Sequence, residues 1–187
     1  MKNFIISLLS DNLPENYFYH NPGHTLYVLD KALEIGKHEG CSKEDLNLLS
    51  TAALWHDTGY IKMYRNHEEE SCNLARHYLP AYNFSSSEIE IICGIIMATR
   101  IPQSPTTKLE EILADADLEY LGTESFDFKS DCLFRELQSM NALLTETTWN
   151  QMQISFLQNH HYFTRFCIEN REPIKQIHLK KLLLSIE

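Results

Sequence analysis

An all-α fold is what this sequence predicts, on three observations. Apolar residues recur at helical spacing in almost every segment. Glycine and proline number only six each and sit mostly between those segments. No run alternates apolar and polar residues at period two, the pattern of a half-buried strand.

The elements follow in order. MKNFIISLLSDN reads as an amphipathic helix packed on the body of the protein. Its apolar run of about six residues is short for a secretory signal core and far too short to span a bilayer. NPGHTLYVLDKALEIGKHEG is a second helix, with Asn21 as N-cap, Pro22 in the first turn and Gly40 at the close. A third starts at Ser42, with Asp45 three residues on, and stops near Gly59. In NHEEESCNLARHYLP, Asn66 is available as cap and Pro80 terminates. Its three glutamates occupy the first turn, where the helix dipole favours them. Ser85 with Glu88, and Thr107 with Glu110, have capping-box spacing and open two more helices, the second closing at Gly122. Two or three further helices are expected over residues 128–187.

RIPQSPTTK, at 100–108, is a Pro-rich loop, and GTESFDFKS, at 122–130, is a second break. The expected organisation is one helical domain over 1–187, with a core of about 20–122 and a C-terminal helical extension of about 123–187. In the extension the aromatics are most simply core, and Lys175, Lys180 and Lys181 a solvated face. His160, His161 and Arg165 are candidates for the border of a pocket.

Asp and Glu outnumber Lys and Arg by 26 to 16, a formal net charge of −10. Nucleic acid polymers and anionic membranes both require a basic footprint, so neither is an expected partner. A small phosphorylated substrate remains compatible, because a local pocket or a metal can reverse the local potential. The five cysteines form no C-x-x-C pair, which fits free thiols in a reducing compartment and a cytoplasmic protein. The sequence does not name an oligomeric state, and a homo-oligomer is allowed.

Several polar residues stand on apolar faces. His24 shares a face with Val28, Ala32 and Ile35. Leu46, Leu49, Ala53 and His56 form one stripe, with Asp57 a step round it. Asp115 follows Ile112 by three residues on a helix anchored by Leu109, Leu113 and Ala116. Taken singly, an inward His is most simply a hydrogen-bonded core residue, and Asp115 could cap a neighbouring helix or pair with an arginine. Together they ask for more, since buried charges are paired or metal-bound and no Lys or Arg lies on these faces. Two imidazoles and two carboxylates make a divalent-metal shell that leaves positions for water and substrate.

His24, then His56-Asp57, then Asp115, all on helices, resembles the HD superfamily of metal-dependent phosphohydrolases. HDTGY after an apolar run and ILADADLEYLG carry the resemblance, which covers roughly residues 20–122. It implies an HD-domain helical bundle. It also implies one divalent ion (Mn, Fe, Co, Ni, Zn or Mg) held by His24, His56, Asp57 and Asp115. Asp117 competes for the last place, and Asp115 is preferred because family members put that residue just after a small one, here Ala114. Two-metal members carry further histidines. His67 stands where the first would fall, as ligand or phosphate contact, whereas Ala98-Thr99 stands where the next would be. Some members have an acidic residue soon after the HD pair, where this chain has Gly59 and Tyr60.

The expected activity is hydrolysis of a small phosphate ester, a nucleotide foremost, by metal-activated water. Asp57 and His67 are the catalytic candidates, and Lys62, Arg65 and Arg100 are the cations nearest the transferring phosphoryl group. Two alternatives stand beside it: a non-catalytic regulatory module that binds metal or nucleotide, and an iron-dependent oxygenase. The missing histidine near Ala98 counts against the second.

Overall fold

The computed structural model describes residues 1–185, so the last two residues of the expected extension lie outside the described residues. The described residues form ten α-helices and three short 3-10 turns, with no strand among them. The amino-terminal part holds α1 (Lys2–Asn12), α2 (Pro22–His38), α3 (Lys43–Trp55), α4 (His67–Tyr78), α5 (Ser86–Met97) and α6 (Lys108–Asp117). Four helices follow rather than two or three: α7 (Phe126–Met140), α8 (Glu146–Asn159), the short α9 (Arg165–Asn170) and α10 (Glu172–Ser185). No helix of the described residues is long and apolar enough to cross a membrane, and all five cysteines are free thiols.

Local chemistry sets the helix starts. The Asn21 side chain accepts hydrogen bonds from the amides of Gly23 and His24, which fixes the first turn of α2. Ser42 with Asp45, Ser85 with Glu88, and Thr107 with Glu110 all close reciprocal capping boxes. Asn66 behaves differently from expectation: it precedes α4 in the left-handed region (φ 60°) and its side chain caps nothing. The chain must reverse there between the 3-10 turn Thr58–Ile61 and α4, and asparagine tolerates that conformation better than most residues. Gly59 is required beneath the reversal, because a Cβ on it would lie 1.9 Å from the His67 carbonyl oxygen. The sixth helix stops at Asp117, and the stretch to Gly122 continues as a 3-10 turn.

α2 packs on α3 and α6, α3 on α5, and α4 on α5. Val28, Ala32, Ile35, Leu49, Trp55, Ile92, Ile96 and Leu113 are fully buried between them. Each large apolar side chain removed from water stabilises the bundle by about 1.5–3 kcal/mol. A second apolar cluster joins Tyr19, Leu118, Tyr120 and Leu121 to Phe126, Ile154, Leu157 and Leu179. It seats the extension over the end of α6. Gly122 permits a close approach there, since a Cβ would sit 2.3 Å from the Arg171 carbonyl oxygen. Arg171 in turn pairs with the buried carboxylate of Glu119.

One expectation for the extension is corrected. Lys180 and Lys181 are exposed, but Lys175 is fully buried. Its ammonium lies 2.9 Å from Glu172, donates to the His160 carbonyl and sits over the Tyr162 ring. A buried lysine persists only with such partners, and three are supplied.

Candidate metal centre and the adjoining cavity

Three helix ends and one turn meet at a single point. The first turn of α2 delivers His24, and the residue after the end of α3 is His56. Asp57 follows at the head of the 3-10 turn, and Asp117 is the last residue of α6. His24 Nε2 lies 3.0 Å from Asp117 Oδ1 and 3.4 Å from Asp57 Oδ2. His56 Nε2 lies 3.2 Å from Asp57 Oδ1 and 3.6 Å from Asp117 Oδ1. Ligand atoms bound at about 2.0–2.2 Å to one ion stand roughly 3.0–3.5 Å apart. Among the described residues, His24, His56 and Asp117 form the one cluster whose donor atoms lie within 4.8 Å of one another.

Asp115, the expected fourth ligand, faces away from this point. Its carboxylate accepts the amides of Phe163 (3.0 Å) and Thr164 (2.8 Å) and the Thr164 hydroxyl (2.6 Å). It therefore anchors the chain entering α9. Burial lifts its carboxyl to about 6 against those hydrogen bonds. The neighbouring Asp117 takes the place beside His24 and His56. His24, His56 and Asp57, which the sequence reading also named, come together with Asp117 at this point.

Two features of the cluster suit a cation. His56 Nδ1 donates to the Ala53 carbonyl at 2.8 Å, which turns Nε2 inward. His56 Nε2 and Asp57 Oδ2 are both buried without a hydrogen-bond partner, a state that costs on the order of 1–3 kcal/mol per group when nothing answers it. Burial disfavours both carboxylates, yet the adjacent imidazoles hold Asp57 and Asp117 below the usual carboxylate range. Burial likewise works against a charged His56, but Asp57 and Asp117 overcome it and push its pKa well up. A proton on His56 is one way to balance two buried carboxylates. A divalent cation is the other, and it leaves both imidazoles neutral. The residues fit a metal.

The HD domain family profile matches residues 23–119, just over half of the chain. The chain belongs to the HD domain family. Two solved structures share its fold along nearly the whole length. A predicted HD superfamily hydrolase from an uncultured Thermotogales bacterium is 22% identical with a TM-score of 0.62, covering 99% of this chain and 92% of its own. Bacillus subtilis YpgQ in complex with ADP is 15% identical with a TM-score of 0.66, covering 100% and 98% respectively. No curated protein matches the chain in sequence.

A cavity of about 380 Å³ opens beside the HD-domain cluster, within the size range of small-molecule sites. Asp57, Asp117, His67, His20 and Tyr60 line one side. The C-terminal extension supplies the other, with Leu133, Leu137, Trp149, Met152, Phe156 and the polar Gln153. His67 heads α4, its Nε2 is 3.5 Å from Asp57 Oδ1, and its ring stacks on Tyr60 at 3.8 Å. The expected phosphate cations are not among the lining residues. Lys62 pairs with Glu70, Arg100 reaches Glu69 (3.2 Å) and Glu68 (3.5 Å), and Arg65 is exposed. His160 and His161 border a smaller cavity of about 150 Å³ next door, whereas Arg165 pairs with Glu169.

The sequence reading missed His20, Tyr60 and Glu136 as members of the site. His20 lies four residues before His24, just ahead of the Asn21 cap, which was a usable signal. Glu136 lies more than a hundred residues from Tyr19 and His20 and offered none.

Proposed function

We propose that this protein is a metal-dependent phosphohydrolase acting on a small phosphate ester, with nucleotides the leading substrate class. The carrying observation is the convergence of His24, His56, Asp57 and Asp117 on one point of an HD-domain chain, with Asp57 and Asp117 lining the adjoining cavity. These four residues would hold one divalent ion. Bound there, such an ion supplies a Lewis acid for a phosphoryl oxygen and lowers the pKa of a coordinated water.

The chain's own groups do the rest. Asp57, which lines the cavity, would also orient the attacking water. His67, at the positive end of α4 and within reach of Asp57, contacts the phosphoryl group. The aromatic and aliphatic wall from α7 and α8 holds the leaving group and keeps bulk water out. The two structural relatives, one a predicted HD superfamily hydrolase and the other in complex with ADP, support hydrolysis and a nucleotide respectively.

A non-catalytic binding module is the second reading, favoured by the absence of Lys or Arg from the described lining. It predicts metal and ligand binding without turnover. Screening phosphomonoesters and nucleotides with Mn, Co, Ni, Zn or Mg decides between them: turnover abolished by Asp57→Ala supports the enzyme, and binding without turnover supports the module. An oxygenase would consume oxygen with iron. Ala98-Thr99 offers no ligand for the second iron of that chemistry.

A further inference from the structure

A buried polar chain runs from the C-terminal extension to the cavity wall and takes no part in the metal cluster. Glu136, on α7, is fully buried. Its Oε2 accepts the amides of Tyr19 (2.8 Å) and His20 (3.0 Å). Its Oε1 meets His20 Nδ1 at 2.5 Å and accepts the Tyr64 hydroxyl at 3.2 Å. A carboxylate so placed needs a donor opposite, so Nδ1 carries a proton and Nε2 is turned the other way. There it meets the Tyr60 hydroxyl at 3.0 Å. Both His20 and Tyr60 line the cavity beside Asp57 and Asp117. The Tyr60 ring stacks on His67 at 3.8 Å and lies 4.2 Å from the His20 ring.

Carboxylate, imidazole and hydroxyl in line, each orienting the next, form an arrangement built to pass a proton. We propose, resting on the phosphohydrolase reading above, that Glu136, His20 and Tyr60 form a relay that protonates the leaving oxygen of the ester. Tyr60 is the catalytic residue that touches the substrate; His20 and Glu136 are positioning residues acting through it. As the water oxygen bonds to phosphorus, the bond from phosphorus to the leaving oxygen breaks and its electron pair stays on that oxygen. The leaving oxygen takes the Tyr60 proton. The phenol oxygen takes the Nε2 proton of a doubly protonated His20, which ends neutral with Nδ1–H still on Glu136. One proton of the attacking water stays on the product phosphate, and the other returns through solvent to His20. The extension thereby completes the HD site rather than merely covering it.

The test compares two esters on the full-length, metal-loaded protein and its Tyr60→Phe, His20→Gln and Glu136→Gln variants. Glycerol phosphate has a poor leaving group that needs a proton; p-nitrophenyl phosphate has one that does not. The relay predicts losses of about 10²–10⁴-fold in kcat on the first, the range of a missing general acid, and about tenfold or less on the second. Metal content stays at the wild-type level. Equal losses on both esters overturn the relay, because misplacement of the site would cost each alike. A readout without turnover is the 15N NMR spectrum of the His20 ring in zinc-loaded protein. It should show Nδ1 protonated in the wild type and lose that preference in Glu136→Gln; a neutral ring protonated on Nε2 in the wild type overturns the proposal. A wild type that hydrolyses neither ester with any metal overturns the phosphohydrolase reading and the relay with it, whereas an active wild type with flat losses overturns the relay alone.

Discussion

Asp115 and Asp117 stand two residues apart on α6, and replacing each by alanine separates anchoring from ligation. Asp115→Ala strands three buried donors: the amides of Phe163 and Thr164 and the Thr164 hydroxyl. Hydrogen bonds to a charged acceptor are worth about 1.5–3 kcal/mol each. Burial of this carboxyl, which lifts it to about 6, offsets part of that sum. A net loss of about 3–5 kcal/mol results, or about 6–20 °C in Tm for a chain of this size. Metal content should be unchanged. Asp117→Ala removes a group near the surface of the cluster whose partners are two imidazoles. It should leave the melting of EDTA-treated protein within about 1 kcal/mol of wild type. Its metal affinity should fall by more than the roughly 10–100-fold typical of outer-shell changes. Melting curves and elemental analysis of both variants read the two effects. Metal loss in Asp115→Ala with a normal Tm, or full metal content in Asp117→Ala, would refute the assignment.

Other outcomes follow from the same structure. Gly59→Ala drives a Cβ into the His67 carbonyl and should cost about 1–3 kcal/mol with a drop in activity, checked by melting and turnover. Trp149→Ala opens the leaving-group wall and should raise KM with little change in kcat or metal content, checked by steady-state kinetics. Burial alone would raise the Glu136 carboxyl, but His20 and the backbone amides hold it below its ordinary value of 4.5. A depressed acid stabilises the fold above the unfolded pKa, and that contribution fades as pH falls through the folded value. Glu136→Gln should therefore flatten the acid side of the stability–pH curve below about pH 4.5, seen by urea titration of metal-free protein. An unchanged acid limb counts against the Glu136–His20 contact.

The helices and three of the four cluster residues were legible because local rules governed them. Capping pairs at Ser42, Ser85 and Thr107 fixed helix starts through bonds made within one turn. His24 and His56 lay on faces that were apolar by period alone. The choice between Asp115 and Asp117 was of another kind. Residues two apart on a helix point about 200° apart, so one faces the cluster and the other faces the opposite side. Ile112 through Ala116 are all buried, because α6 is enclosed by the bundle on one side and the extension on the other. Ala114 and Ala116 precede the two aspartates alike, so the small neighbour did not discriminate. Lys175 misled for the mirror reason: a lysine in a basic stretch reads as solvated until the partners that bury it are brought from Glu172, His160 and Tyr162. The Glu136–His20 contact likewise exists only once α7 has docked.

The most direct measurement is the metal content of the purified protein and of its Asp57→Ala variant after incubation with Mn, Co, Ni or Zn and removal of loose ions. The account predicts about one tightly held ion per chain in the wild type and almost none in the variant, with helicity retained in both. A wild type that takes up no metal, or a variant that holds as much as the wild type, would contradict it.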